Sequence, residues 1–329
     1  MLHTMVPSPT GGKPGLGMPR ASVRVALTLR CGPGQVGAFE QEKRPAMSLL
    51  AIPFPNIDAV ALQIGPLTVK WYGLAYLTGL VLGWLYIRRL IQEPRLWASG
   101  QGPFPIERVD DLLLYMTLGV VLGGRLGSVL FYEPGHYLKN PLEILMVWKG
   151  GMAFHGALVG CGLAIWLFAS RYKLPVWSVM DVCAAAVPIG LGFGRLANFV
   201  NGELFGRPTS VPWGMVFPDA ARMREYASVE PTPRHPSQLY ESFFEGLVLF
   251  LVLRFLTHKR GALQTPGVVT GTFLIGYGLA RSFCELFRQP DPLHALTAGP
   301  LTPGIAYSIP MILLGLWFIT GARERARMA

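Results

Sequence analysis

Charge is what this 329-residue chain has little of: only 15% of its residues are Asp, Glu, Lys or Arg, while 51% are hydrophobic. Soluble domains carry nearer a quarter charged residues. A cytosolic enzyme and a disordered chain are excluded on that ground. Cysteine is scarce too. Cys31, Cys161, Cys183 and Cys284 include no pair at CxxC spacing, so no zinc or redox motif and no disulfide scaffold is supported. Three of them lie in apolar segments, where the thiol acts as a small hydrophobe. HExxH, GxSxG and Walker A patterns are all missing, so metalloprotease, serine hydrolase and P-loop ATPase readings lack their residues.

What is present is a series of long apolar runs. Mean hydropathy is +0.39, and glycine (39) and proline (28) are frequent, as helical membrane proteins allow. The pattern predicts an all-α polytopic membrane protein with about seven transmembrane helices. They fall near 70–90, 112–132, 152–170, 176–197, 238–257, 267–287 and 303–321, each about the ~20 residues a bilayer requires. Residues 1–46 read differently. They are Gly/Pro-rich and basic, too broken for a signal peptide, and predict a disordered leader or a misassigned start, with Met47 opening like a natural one. Residues 47–329 form a single transmembrane domain.

Net charge is +10. The basic residues form no continuous stripe, so nucleic acid is not an expected partner. Their placement sets topology instead. Arg88, Arg89, Arg95, Arg108, Arg171, Lys173, Arg254, Lys259 and Arg260, with Arg323, Arg325 and Arg327 in the tail, lie on one side. That side is cytoplasmic by the positive-inside rule. The N-terminus is therefore outside and the C-terminus inside. The 198–237 connection is long and contains Trp213, Met215, Val216 and Phe217, which predicts a small external head between spans four and five.

Ionisable groups within spans are costly, and function is their default reading. Arg125, His155, Asp181, Arg195, Glu241, Arg281 and Glu285 lie in or at spans. With this topology, Tyr72, His155, Arg195, Asn198, Tyr240, Glu241, Arg281, Glu285 and Arg288 converge at the outer leaflet. They outline a polar cavity there. Arg281, Glu285 and Arg288 follow i, i+4, i+7 and share a helix face. They form either a structural ion pair or an arginine anion site whose fork Glu285 orients. GRLANFVNGELFG (194–206) places Arg195 and Asn198 on one face, then Asn201, Gly202, Glu203 and Gly206 at a helix end. His155 is either a hydrogen-bonded structural histidine or a proton acceptor. Arg125 serves lipid phosphate or structure, and the glycines around it have GxxxG packing spacing. RHPSQLYE (234–241) reads as a helix entry with Tyr240 at the interface.

These motifs carry a resemblance. WYGLAYL (71–77), LGGRLGSVLFY (122–132), GGMAFHGALVG (150–160), GRLANFVNGELFGR (194–207), RHPSQLYE and RSFCELFRQPD (281–291) are collinear with those of the bacterial prolipoprotein diacylglyceryl transferases. The chain resembles that family over roughly 50–321. Ala157 and Ala197 stand where the family usually has glycine.

The resemblance implies a reaction: a diacylglyceryl group passes from phosphatidylglycerol to the lipobox cysteine thiol of a prolipoprotein signal peptide. A thioether forms and glycerol 1-phosphate leaves. It implies a multi-pass protein of the bacterial cytoplasmic (inner) membrane, its site open to the outer leaflet, with no metal, nucleotide or redox cofactor. Arg195 and Asn198 are expected at the headgroup. Arg281, oriented by Glu285, is expected at the leaving phosphate or the thiolate, and His155 as a base. Tyr72, Asn201, Glu203, Gly206 and Tyr240 are expected as further headgroup contacts. A transporter for an anionic solute is the main rival. An intramembrane protease lacks a partner for Asp181, and an inactive scaffold fits poorly with an intact polar set.

Overall fold

The computed structural model describes residues 52–55, 57–58, 60–65, 67–217, 232–289, 302–322 and 324. The leader expected over 1–46 and the arginines of the C-terminal tail lie outside the described residues. Each of the seven segments expected to span holds a helix. They are α1 (Trp71–Gln92), α2 (Arg108–Gly127), α4 (Phe154–Tyr172), α5 (Val176–Val200), α6 (Ser237–Glu241) running into α7 (Leu249–Arg260), α8 (Val268–Glu285) and α9 (Pro303–Thr320). A short α3 (Pro134–Lys139) lies between α2 and α4. Among the described residues, four helical segments are long and apolar enough to cross a membrane: Trp71–Gln92, Arg108–Tyr132, Phe154–Tyr172 and Val176–Val200.

Local chemistry accounts for the ends. α1 stops at Glu93, ahead of Pro94, whose ring cannot continue the ladder. α7 stops at Gly261, which takes a left-handed φ of 64°. Proline opens α9 at its first position, where a missing N–H costs nothing. The start of α8 is capped from a distance. Asp181 of α5 accepts from Gly267 N (2.7 Å), Thr270 N (2.8 Å) and Thr270 Oγ1 (2.6 Å). Asp181 therefore has the partner that the sequence did not reveal: a helix N-terminus, whose positive dipole end favours a carboxylate.

The helices approach through small residues, as membrane packing favours. A Cβ on Gly119 of α2 would fall 2.6 Å from Gly160 O of α4, and one on Gly127 would fall 2.8 Å from Gly156 Cα. Gly271 of α8 and Gly315 of α9 have the same relation, at 2.7 Å in each direction. The GxxxG spacing in α2 is thus a packing device. Arg125, on that helix, donates Nε to Ile144 O (2.9 Å), with further bonds to the carbonyls of Glu143, Met146, Gly150 and Gly151. It clasps the α2–α4 connection, a structural role.

The apolar core collects at one end. Leu90, Val109, Leu112, Phe168, Val179, Val182, Leu253 and Val269 are all buried there, where α1, α4 and α7 finish and α2, α5 and α8 begin. Outward, Leu80, Leu118, Leu122, Leu163, Trp166, Leu251, Phe255, Leu279 and Leu314 are exposed, far more apolar surface than a water-soluble protein presents.

The fold is not purely helical, which corrects the all-α expectation. β1 (Ile52–Pro53) pairs in parallel with β4 (Met215–Val216), and β2 (Val60–Ile64) pairs antiparallel with β3 (Leu67–Lys70). These strands are too short to register as periodicity. The described part of the α5–α6 connection packs Phe205 and Phe217 against Phe54, Phe199 and Met215.

Candidate active site

At the other end of the bundle, charged side chains from four helical segments meet. Arg195 lies near the end of α5, Glu241 closes α6, Arg281 and Glu285 share the last turns of α8, and Arg288 follows. Between α6 and α7 the chain makes a π-helical turn, Ser242–Val248, which carries Glu245. Its wider spiral suits a close contact with α5. A Cβ on Gly246 would fall 2.6 Å from Gly192 Cα, and Ser242 Oγ donates to Gly192 O (3.0 Å). Such turns recur at functional sites.

The geometry is a network of three arginines and three glutamates. Arg281 Nη1 donates to Glu241 Oε1 at 2.6 Å, and Arg288 Nη1 to the same oxygen at 3.0 Å. Arg195 Nη1 lies 3.3 Å from Glu241 Oε2. The same arginine gives Nε and Nη2 to Glu245 Oε2 at 3.3 and 3.2 Å. Arg281 Nη2 pairs with Glu285 Oε2 at 2.8 Å. Glu285 in turn abuts the first turn of α9, where a Cβ on Gly304 would fall 2.5 Å from its Oε2. Glu241 and Glu245 are 0% exposed, whereas the side chains of Arg195, Arg281 and Arg288 are 16–17% exposed. The arginine side chains are therefore the more accessible part of the network and the carboxylates of Glu241 and Glu245 the less accessible. Tyr277 and Cys284 also face the cluster from α8.

The polar motif after α5 forms a shelf beside this network. Gly202 adopts φ 67° and Leu204 φ 58°, turning the chain sharply. Gln238 Nε2 donates to Glu203 O (2.7 Å) and Ser237 Oγ to Leu204 O (3.0 Å). Those bonds anchor the start of α6, and with it Glu241. Asn198 is buried, and its carbonyl accepts from Glu203 N (3.0 Å). Asn201 bonds the Glu203 carboxylate, whose pKa burial pushes above the usual carboxylate range. Gly206 sits where three backbones converge. Its N–H donates to His235 O (2.8 Å), and a Cβ there would fall 2.7 Å from His235 Cβ. Tyr72, hydrogen-bonded to Tyr76 Oη (3.1 Å), lies within electrostatic reach of Arg195 and Glu203.

Arg195, Arg281 and Glu285 are thus brought together as the spacing suggested, with Asn198, Asn201, Glu203, Gly206 and Tyr72 around them. His155 and Tyr240 have partners outside the charged network. His155 is exposed, with Nδ1 3.2 Å from Tyr132 Oη and its ring 5.1 Å from that of Tyr307. Tyr240 Oη accepts from Trp213 Nε1 (2.7 Å) and lies 3.1 Å from His235 Nδ1, an aromatic group completed by Phe287. Burial holds the pKa of His235 below the ordinary histidine value. The sequence reading set Glu241 at the polar cavity without giving it a role and passed over Glu245 altogether. The available signal was their i, i+4 spacing within an apolar run. Among the described residues, no group of three His, Cys, Asp or Glu is arranged to hold a metal ion.

Arginines paired with buried glutamates at the end of an apolar helical bundle fit a membrane protein. The chain belongs to the prolipoprotein diacylglyceryl transferase family, whose model matches residues 59–320. It is similar to the phosphatidylglycerol–prolipoprotein diacylglyceryl transferase of Rhizobium meliloti (strain 1021), 51% identical over 86% of this chain and 99% of that protein. The same named enzyme of Sinorhizobium medicae (strain WSM419) is 50% identical over 86% and 99%. That of Agrobacterium fabrum is 49% identical over 85% and 98%.

Proposed function

We propose that this chain transfers the sn-1,2-diacylglyceryl group of phosphatidylglycerol to the lipobox cysteine of a prolipoprotein, the first step of lipoprotein maturation. The observation that carries the reading is the arginine set, with Arg195, Arg281 and Arg288 gathered on the buried Glu241 while their side chains keep some exposure.

In this reading, Arg195 with Asn198 binds the headgroup phosphate, and Tyr72, Asn201, Glu203 and Gly206 shape its surroundings. The cysteine sulfur attacks the glycerol carbon bonded to the phosphate oxygen. A carbon–sulfur bond forms, the carbon–oxygen bond breaks, and its electron pair leaves on glycerol 1-phosphate. Arg281, oriented by Glu285, stabilises the charge that develops on that phosphate, the largest single contribution such a site can make. A free thiol has a pKa near ~8.5, and nearby guanidinium groups raise its thiolate fraction. We assign thiol activation to the arginines because the hydrogen bond and ring contacts of His155 run to Tyr132, Phe154 and Tyr307. The thiol proton passes to water. Tyr240, in its aromatic group with Trp213 and His235, supports the shelf from below.

The same reading places the chain in the bacterial cytoplasmic membrane with seven spans. The N-terminus and the 198–237 segment are outside, the C-terminus is inside, and the site is open to the outer leaflet. Translocated precursors arrive on that side. The experiment is direct: membranes bearing the full chain are incubated with phosphatidylglycerol and a lipobox peptide. A cysteine-dependent diacylglyceryl mass gain with glycerol phosphate release is expected. No gain, in a bilayer where the Rhizobium meliloti enzyme works, overturns the proposal.

A further inference from the structure

One carboxylate touches all three arginines. Glu241 Oε1 accepts from Arg281 Nη1 at 2.6 Å and Arg288 Nη1 at 3.0 Å, and its Oε2 lies 3.3 Å from Arg195 Nη1. Glu245 contacts Arg195 and, at 3.8 Å, Arg281. Glu285 contacts Arg281. Glu241 is 0% exposed while the side chains of the three arginines are 16–17% exposed, so an anion entering from the open side meets the arginines before this carboxylate. Its effect on any ligand must run through them.

The charges decide what that effect is. Three guanidinium groups this close repel one another, and Glu241 is the group that spaces them. The empty network, three positive against three negative, is close to neutral. Neutrality moderates the grip on an anion. That matters for a transferase, because holding the ground state or the departing phosphate tightly does not accelerate the reaction. Only arginines held in place for the transition state do so.

We infer that Glu241 is a positioning residue of the transfer site: it spaces Arg195, Arg281 and Arg288 for the developing phosphate charge and keeps the site from clamping its anionic product. The inference rests on the transferase reading above. It predicts two effects of opposite sign when the charge alone is removed. Glu241→Gln leaves the arginines one positive charge in excess, so a phosphate monoester binds more tightly. The same change lets the guanidinium groups drift apart, so turnover slows.

The test uses the full chain in phospholipid nanodiscs. Glycerol 1-phosphate affinity is measured by calorimetry, and transfer to a lipobox peptide by mass. For Glu241→Gln, affinity is expected to rise about 3–10-fold while kcat falls by about 10-fold or more. Glu241→Asp keeps the charge and shortens the reach, so affinity should stay within about twofold while kcat falls less steeply. A merely structural glutamate would lose affinity and turnover together. Weaker binding in Glu241→Gln, or a kcat within about twofold of the parent, overturns the inference. If the parent chain binds glycerol 1-phosphate yet makes no lipidated peptide, the transferase reading fails, and the calorimetric arm still decides whether Glu241 tempers anion binding.

Discussion

The two ends of the helical bundle are held together by opposite chemistry. At one end Leu90, Leu112, Phe168, Val179, Leu253 and Val269 interlock, with Asp181 buried beside them as the cap of α8. At the other, Arg195, Glu241, Glu245, Arg281, Glu285 and Arg288 fill the same kind of interhelical space. Close packing is the economical way to join helices in lipid. A buried ionic network roughly breaks even at best, because removing charges from water offsets most of their attraction. The polar end therefore contributes little stability for its complexity. The contrast teaches that cohesion and chemistry are assigned to separate ends, and that damage to one should leave the other largely intact.

The strongest test of that separation is at the polar end. Arg195→Ala and Arg281→Ala should each reduce lipidation of a lipobox peptide by about a thousandfold, or ~4 kcal/mol. Both proteins should still accumulate in the membrane, with a lowered melting temperature because each loss leaves buried glutamates short of a counter-charge. Activity retained in both would dissolve the comparison. The reciprocal change is Leu253→Ala, at a fully buried position. It should cost about 2–5 kcal/mol of stability through the cavity it leaves, read as a lower melting temperature in nanodiscs, with kcat per folded molecule unchanged. Asp181→Ala strips the cap from α8 and leaves its donors unmet. About 1–3 kcal/mol of stability should be lost there, again without a change in kcat.

The smallest expected effect is a pH dependence at the polar end. Burial lowers the pKa of His235 below the ordinary value. The unfolded chain then takes up a proton that the folded chain refuses, so stability is full above pH ~6.5 and declines as pH falls through and below that value. His235→Gln should flatten this decline when melting is compared at neutral and acidic pH.

Much of this division could be read from the residues. Apolar runs of bilayer length located the helices, because lipid imposes a long and uniform signal. Arg195, Arg281 and Glu285 stood out because charge inside such runs is expensive. What escaped notice had local or tertiary causes. Glu245 hides in SFFEGLV, and its role depends on a π turn that leaves no mark on hydropathy. Asp181 meets Gly267 and Thr270 only through folding, across 86 and 89 residues. The strands β1 and β4 are two residues each, below any periodic signature. His155 was singled out by its chemistry, but a histidine's type does not reveal which neighbours its ring will meet.

The π turn at Ser242–Val248 also makes the site a matter of residue count. Shortening that segment by one residue would let the ladder close as an ordinary helix. Everything preceding the deletion would then rotate by about 100° relative to α7. Glu241 would swing away from the arginines while Leu249 and Leu253 kept their places in the apolar end. The single extra residue therefore works as an index mark, setting the phase between the two halves of one span. A one-residue deletion there would be more damaging than many substitutions, and a compensating insertion in the same segment should repair it.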